Sequence, residues 1–472
     1  MDEGGDAGSE RLERFLASPR RAVWSLALPM IAGMAVHTLY MVVDTAFIGT
    51  LGTEALAAAT FVAPLFLIMI ALTMGLGTAV TALVAQALGR RDAGEAERIA
   101  GTAMTLGVAA GLVLTATGTA GGRWLLEALG AGGPIGELSW SYFQIIVLLV
   151  PLWFVSIVFR SVLTGEGDAK TPMLVLTGAT VTNIALDALF ILVLGLGLRG
   201  AALATGAAQL LSLTAYVVVL LRRDRAFVRF RIGQLLPARR AALRLSSLAV
   251  PAAAGMLVMS AGGMLYNRLL AEFGQVAVAA YGAATKIDML VAMPLFGLAG
   301  AAVSVVGMFA GARRADLVRS TALYTYGWAV GLASAIGATA YLSSGAVLQI
   351  FTADAEAIDI GQTYLGYMLF AYPMMAIGIT TGRLLQGLGR GLPPLVITAV
   401  RVLLVGVPIA YAGVYLFDAP VEVIWSGMLA GGVLATLLAL GWVRRTIWLH
   451  DPTAAAARRD PGPVGEQSVS PA

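Results

Sequence analysis

Long apolar stretches separated by short polar breaks run along almost the entire chain. A helix needs about 20 mostly apolar residues to cross the roughly 30 Å hydrocarbon core of a bilayer. Twelve stretches meet that length. The first six lie at roughly 22–48, 56–86, 97–119, 138–163, 172–195 and 198–221. The second six lie at roughly 246–271, 277–309, 319–350, 361–386, 394–417 and 421–444. Several exceed 25 residues, which predicts tilt, kinks or helices that project beyond the bilayer. The pattern predicts an all-α membrane protein with an N-terminal six-helix lobe over 22–221 and a C-terminal six-helix lobe over 245–446. A basic linker is expected at 222–244, a polar N-terminal tail at 1–21, and a polar, disordered tail at 447–472.

The two sets of six are related to each other. Leu26-Ala27-Leu28-Pro29 recurs as Leu248-Ala249-Val250-Pro251, an offset of 222 positions. Without a gap, that offset also pairs Gly52 with Gly274, Gly75 with Gly297 and Gly89 with Gly311. Further along it pairs Pro151 with Pro373, Gly167 with Gly389 and Pro172 with Pro394. Chance identities are common in a chain rich in alanine and glycine. A fixed offset at residues that set backbone geometry is stronger evidence of duplication. Six spans per repeat is an even number, so both halves insert with the same orientation. The twelve helices are therefore expected as two lobes related by pseudo-twofold symmetry about the membrane normal, with a central cleft. Alternating access by rocking lobes needs such a design, whereas a channel or receptor does not.

Composition agrees with this and removes other classes. Hydrophobic residues make up 58% of the chain and charged residues 12%, against about 45–50% and 25% in soluble domains. With no cysteine and only two histidines, the chain has no disulfide framework, no thiolate chemistry and no multi-histidine metal centre. Residues 1–21 lack the apolar core of a cleaved signal peptide, so the first span is expected to be retained. The net charge of +4 resides mainly in arginine, and its distribution sets topology. One set of loops carries Arg90, Arg91 and Arg98, Lys170, Arg222 to Arg240, Arg313 and Arg314, Arg390, and Arg444 and Arg445. The alternate loops are short or acidic, with Glu54, Glu127, Glu137, Asp354, Glu356, Asp418 and Glu422, and Arg123 and Arg199 as exceptions. Basic loops stay cytoplasmic, which places both termini there and predicts a prokaryotic inner-membrane location. The same distribution argues against nucleic-acid binding, because the basic linker reads as topogenic charge on anionic headgroups.

Ionisable groups inside a span are costly and are functional candidates by default. Asp44 lies deep in the first span, and Asn183 and Asp187 share a face of the fifth at i, i+4 spacing. At the 222 offset the second half has Tyr266, Val405 and Ile409, so these acids are expected in the N-terminal lobe alone. Two carboxylates sharing a low-dielectric cavity favour binding of a proton, or of sodium with help from amide and hydroxyl oxygens. The competing reading is a pair of interhelical hydrogen bonds between the first and fifth spans. His37, seven residues before Asp44, and Tyr40 are candidates for accessory roles, as is Lys286 in the eighth span. Mid-span charge otherwise leans acidic. Pro29, fifteen residues before Asp44, is placed to bend the first span. Aromatic and methionine side chains facing the cleft would suit a flat, apolar, cationic substrate. No phosphate-binding loop of the Gly-x-x-x-x-Gly-Lys-Ser/Thr kind is present, so ATP is not expected to drive the process directly.

Several motifs together resemble the multidrug and toxic compound extrusion (MATE) family. They include Leu28-Pro29 through Asp44-Thr45 to Leu51-Gly52, and Gly165-Glu166-Gly167-Asp168-Ala169-Lys170-Thr171-Pro172 followed by Asn183 and Asp187. Ala279-Ala280-Tyr281-Gly282 and Lys286-Ile287 fit in the second half. The resemblance covers about residues 15–445 and is nearest to the DNA-damage-inducible (DinF-like) branch. It implies a cation-coupling site, for proton or sodium, at Asp44, Asn183 and Asp187 with Thr205 adding a hydroxyl. One departure is Met41, where the family commonly has asparagine.

The resulting expectation is a secondary active antiporter, not an enzyme, without a cofactor beyond its coupling ion. It would act as a monomer in the lipid bilayer and export amphipathic or cationic small organic compounds. The alternative is a flippase of lipid-linked substrates, which would need a basic central cavity. A channel is the third class.

Overall fold

The computed structural model describes residues 6–221, 227–228 and 236–453. The described residues contain helices and no strand. After a short helix, α1 (Asp6–Ala17), the first lobe comprises α2 (Pro19–Thr50), α3 (Thr53–Gly89), α4 (Ala93–Ala128), α5 (Gly133–Gly165), α6 (Lys170–Asp187) and α7 (Gly197–Leu221). The second comprises α8 (Arg239–Leu270), α9 (Gln275–Gly311), α10 (Ala315–Leu342), the short α11 (Ser344–Leu348), α12 (Ala355–Gly387), α13 (Leu392–Ala399), α14 (Val407–Leu416) and α15 (Glu422–Val443). A π-helical turn, Ala188–Val193, continues α6, and a second, Val400–Gly406, joins α13 to α14 into one span.

Eleven helical spans among the described residues are long and apolar enough to cross a membrane. The twelfth span is α10, with 28 residues; its glycine, serine, threonine and tyrosine content dilutes the hydropathy without shortening the helix. It ends at Leu342, short of the expected 350, because the chain turns at Ser343 into α11. The helix α8 starts at Arg239, inside the segment expected as linker. Arg222, Arg223, Arg225, Arg229 and Arg231 of that linker lie outside the described residues, as does 454–472 of the C-terminal tail. Within the expected N-terminal tail, α1 is a packed amphipathic helix. Leu12 is buried, Arg11 donates to the Glu166 carbonyl at 2.9 Å, and Glu13 pairs with Arg91.

The repeat is visible in the backbone. Both α3 and α9, and both α5 and α12, begin and end 222 positions apart. So do the left-handed residues Gly52 and Gly274, Arg91 and Arg313, and Gly167 and Gly389. Packing follows the same exchange. In one lobe α5 packs on α3, α4 and α7; in the other α12 packs on α9, α10 and α15. Between lobes, α2 packs on α9 as α8 packs on α3, and α3 meets α9 at the centre. This explains the duplicated glycines. A Cβ on Gly89 would lie 2.0 Å from the Met308 carbonyl oxygen, and one on Gly311 would lie 2.1 Å from that of Gln86. The helices touch backbone to backbone there, as small residues permit inside membranes.

The interlobe hydrogen bonds cluster at the arginine-rich end. Gln86 donates to the Gly387 carbonyl at 2.8 Å, Ser304 to that of Thr164 at 2.8 Å, and Arg383 to the Thr78 hydroxyl at 3.1 Å. Arg244 of α8 reaches across to Glu95 of α4, which also pairs with Arg90 at 2.5 Å. The lobes are thus joined where the basic loops lie.

Candidate functional site

Three helices of the first lobe bring Asp44, Asn183, Asp187 and Thr205 together. α2 and α7 both pack on α6, which places Asp44 of α2 and Thr205 of α7 beside the polar face of α6. Asp187 closes α6 at the point where the helix widens into its π-helical turn. Such turns frequently mark functional positions, because they displace side chains from the regular α-helical register.

The geometry is short of donors. With the Asn183 amide nitrogen turned toward the acid, it donates to Asp187 Oδ2 at 2.8 Å, while the amide oxygen accepts from the Thr205 backbone N–H at 3.1 Å. Asp187 is fully buried and its Oδ1 has no hydrogen-bond partner. Asp44 is half-buried, lies within electrostatic range of Asp187, and accepts no hydrogen bond from the described residues. Two carboxylates therefore share one region with a single side-chain donor between them. An unpaired carboxylate oxygen in a dry environment costs free energy until a proton or metal cation arrives.

Of the accessory candidates, Tyr40 lies one turn before Asp44, beside Thr205. The His37 ring sits against that of Tyr40, with centroids 5.9 Å apart, and is exposed rather than bonded to Asp44. Lys286 is elsewhere. It is exposed on α9 of the second lobe and has no ion pair among the described residues. Pro29 lies within the first half of α2, between the arginine-rich end and the site.

The second lobe carries charged groups of its own within its spans. Asp288 of α9, half-buried, is one of them. It accepts hydrogen bonds from Tyr364 at 2.5 Å and Tyr372 at 2.7 Å, both on α12. Tyr281, Tyr364 and Trp425 pack around one another beside it, with Tyr364 and Trp425 centroids 4.8 Å apart. The tyrosine donors supply what Asp187 lacks, so each Asp288 carboxylate oxygen has a hydrogen-bond partner. The eight-residue spacing of Tyr364 and Tyr372, about two helical turns, was the signal in the sequence. Basic residues besides Lys286 also lie within spans. Arg401 lies well inside the span Leu392–Leu416, and Arg160 and Arg383 lie near the ends of α5 and α12.

Comparison with known proteins follows the same duplicated pattern. The family model described as MatE matches residues 29–189 and again 251–412, once in each lobe. The probable multidrug resistance protein NorM of Thermotoga maritima is 24% identical over 429 residues, covering 89% of this chain and 91% of that protein. The FAD transporter of Shewanella oneidensis is 26% identical over 402 residues, covering 84% and 88%. A solved outward-facing multidrug resistance MATE family transporter of the MOP superfamily superposes with a TM-score of 0.86 at 29% identity, covering 91% and 96%. Two lobes that each match the family model, with well over half of the chain accounted for, make this protein a member of the MatE family: a multi-pass membrane transporter and not an enzyme.

Proposed function

We propose that the protein is a secondary antiporter that exports amphipathic or cationic organic compounds in exchange for a cation bound at Asp44 and Asp187. The observation that carries this reading is the unpartnered, fully buried Asp187 Oδ1 beside a second carboxylate. A proton satisfies that oxygen by converting it to a donor. Sodium satisfies it by coordination, with Asp44, the Thr205 hydroxyl and, once the Asn183 amide turns its oxygen toward the ion, that oxygen as further ligands. Both cations require the same atoms. The arginine-rich face is read as cytoplasmic by the positive-inside rule, so the lobes are joined on the cytoplasmic side and transport requires that side to open. Each chain supplies both lobes, which makes a monomer sufficient.

Multidrug resistance proteins among the relatives support an organic substrate. The test is efflux of a lipophilic cationic dye from proteoliposomes under a proton gradient and, separately, a sodium gradient. One of the two should drive efflux, and Asp44→Asn and Asp187→Asn should each abolish that dependence. Wild-type ion dependence in both variants would refute the assignment.

A second reading, a phosphate-bearing substrate, is favoured by Arg401. This arginine is held within a span with no carboxylate partner among the described residues, and one relative carries the name FAD transporter. Gradient-driven movement of a flavin nucleotide, lost in Arg401→Gln, would select this reading over the first.

A further inference from the structure

We propose that the pocket between the first turns of α2 and α10 binds the phosphate of an anionic phospholipid headgroup. This cavity of about 650 Å³ opens at the arginine-rich end and is lined by Ser18, Arg20, Arg21, Ser320, Thr321 and Tyr324, among others. It lies far along α2 from Asp44 and plays no part in the cation site.

Four features point to an anion. Arg20 and Arg21 have no carboxylate partner among the described residues. The acids nearest in sequence are engaged elsewhere, Asp316 with Arg314 at 2.8 Å and Glu13 with Arg91. The pocket also contains the N-terminus of α2, a 32-residue helix whose Ser18 cap makes no side-chain hydrogen bond. The backbone N–H groups of its first turn and the helix dipole favour negative charge there. Independently, Thr321 is only 2% exposed, lines the pocket, and its Oγ1 has no partner. A buried hydroxyl left without a partner is costly, and a phosphate oxygen would accept from it.

The surroundings favour a lipid over a free ion. The Arg20 guanidinium lies over the Tyr324 ring, 5.4 Å from its centroid, an attraction that holds its charge at the pocket. Trp24 donates to the Tyr324 hydroxyl at 3.0 Å, and its ring meets Trp328 edge-on at 5.2 Å. Tryptophan and tyrosine at this depth form the interfacial belt where headgroups sit. Leu323 and Trp328, 59% and 44% exposed, continue from the pocket as an apolar surface for acyl chains. Because α2 belongs to one lobe and α10 to the other, a bound headgroup would tie the lobes together at their shut end.

The test is native mass spectrometry of the full-length chain in neutral detergent, with phosphatidylglycerol, phosphatidylcholine or inorganic phosphate added at equal concentration. Phosphatidylglycerol should be retained on the order of tenfold more than phosphatidylcholine, on the scale of two arginines near anionic lipid. The double variant Arg20→Gln, Arg21→Gln should fall to the phosphatidylcholine level, while Arg20→Lys, Arg21→Lys keeps most of the preference. Should the glutamine variant fold poorly, Thr321→Val removes the hydroxyl at nearly constant volume and should weaken retention several-fold. Equal retention of the two lipids, unchanged retention in these variants, or displacement of the lipid by inorganic phosphate would each overturn the proposal.

Discussion

Replacing Gly311 by alanine tests whether the contact at the arginine-rich end is a reversible seam. The new Cβ would lie 2.1 Å from the Gln86 carbonyl oxygen and 3.0 Å from Gly89 Cα. Both are backbone atoms, so no side chain can swing aside and the two helices must separate. Overpacking of this kind costs about 1–3 kcal/mol, and each 1.4 kcal/mol is a factor of about ten in a conformational ratio. The joined arrangement should therefore lose between about fivefold and a hundredfold in population relative to the opened one. The chain has no cysteine, so a single introduced thiol reports without background. Ala85, fully buried on α3 and 3.0 Å from the position of a Gly307 Cβ, is a conservative place for it. Labelling of Ala85→Cys by a water-soluble maleimide should accelerate by that factor in Gly311→Ala. The matched control is Gly327→Ala in α10, where a Cβ meets nothing within 4 Å and labelling should not change. An unchanged labelling rate in a folded Gly311→Ala protein would refute the seam.

Three further outcomes follow from named contacts. Tyr364→Phe removes one of the two donors to Asp288, which should cost about 1–3 kcal/mol in thermal stability while the ion dependence of transport stays as in wild type. Glu95→Gln leaves Arg90 and Arg244 facing each other without their shared acid. It should lower the melting temperature by an amount on the scale of about 3 kcal/mol, reduced because Arg244 is one-third exposed and screened. Met41→Asn introduces an amide one turn before Asp44, and sodium binding measured by tracer uptake should tighten as its carbonyl adds an oxygen ligand.

Much of the scaffold was legible because duplication leaves marks that survive substitution. Gly52 and Gly274 were matched as letters, and their left-handed backbone supplies the reason both persist. For Gly89 and Gly311 the sequence could register the repeat but not its purpose, since what faces a glycine across a lobe boundary is absent from its own helix. The helix α1 presents no long apolar run, because only one stripe of it is apolar, with Leu12 and Phe15 turned inward. Asp44, Asn183, Asp187 and Thr205 were legible as intramembrane polar groups helped by family resemblance, and the structure places them in one region. Asp288 stands in the sequence as an acid two residues from Lys286 in the eighth span, but nothing near it there shows its partners. Its meaning depends on Tyr364 and Tyr372, which lie more than seventy residues away. Arg401 does not interrupt the apolar pattern of its span, because a long apolar stem lets an arginine occupy an otherwise hydrophobic stretch.

The central claim is that one cation occupies the Asp44–Asp187 site and leaves when substrate binds. Its most direct test is cation release by the purified protein on addition of a lipophilic cationic substrate, read with a proton indicator in weak buffer and with a sodium electrode. Wild type should release one of these two cations in proportion to substrate bound, Asp187→Asn should release none, and Asp288→Asn should behave as wild type. Undiminished release from Asp187→Asn, or loss of release in Asp288→Asn alone, would contradict the account and move the coupling site to the second lobe.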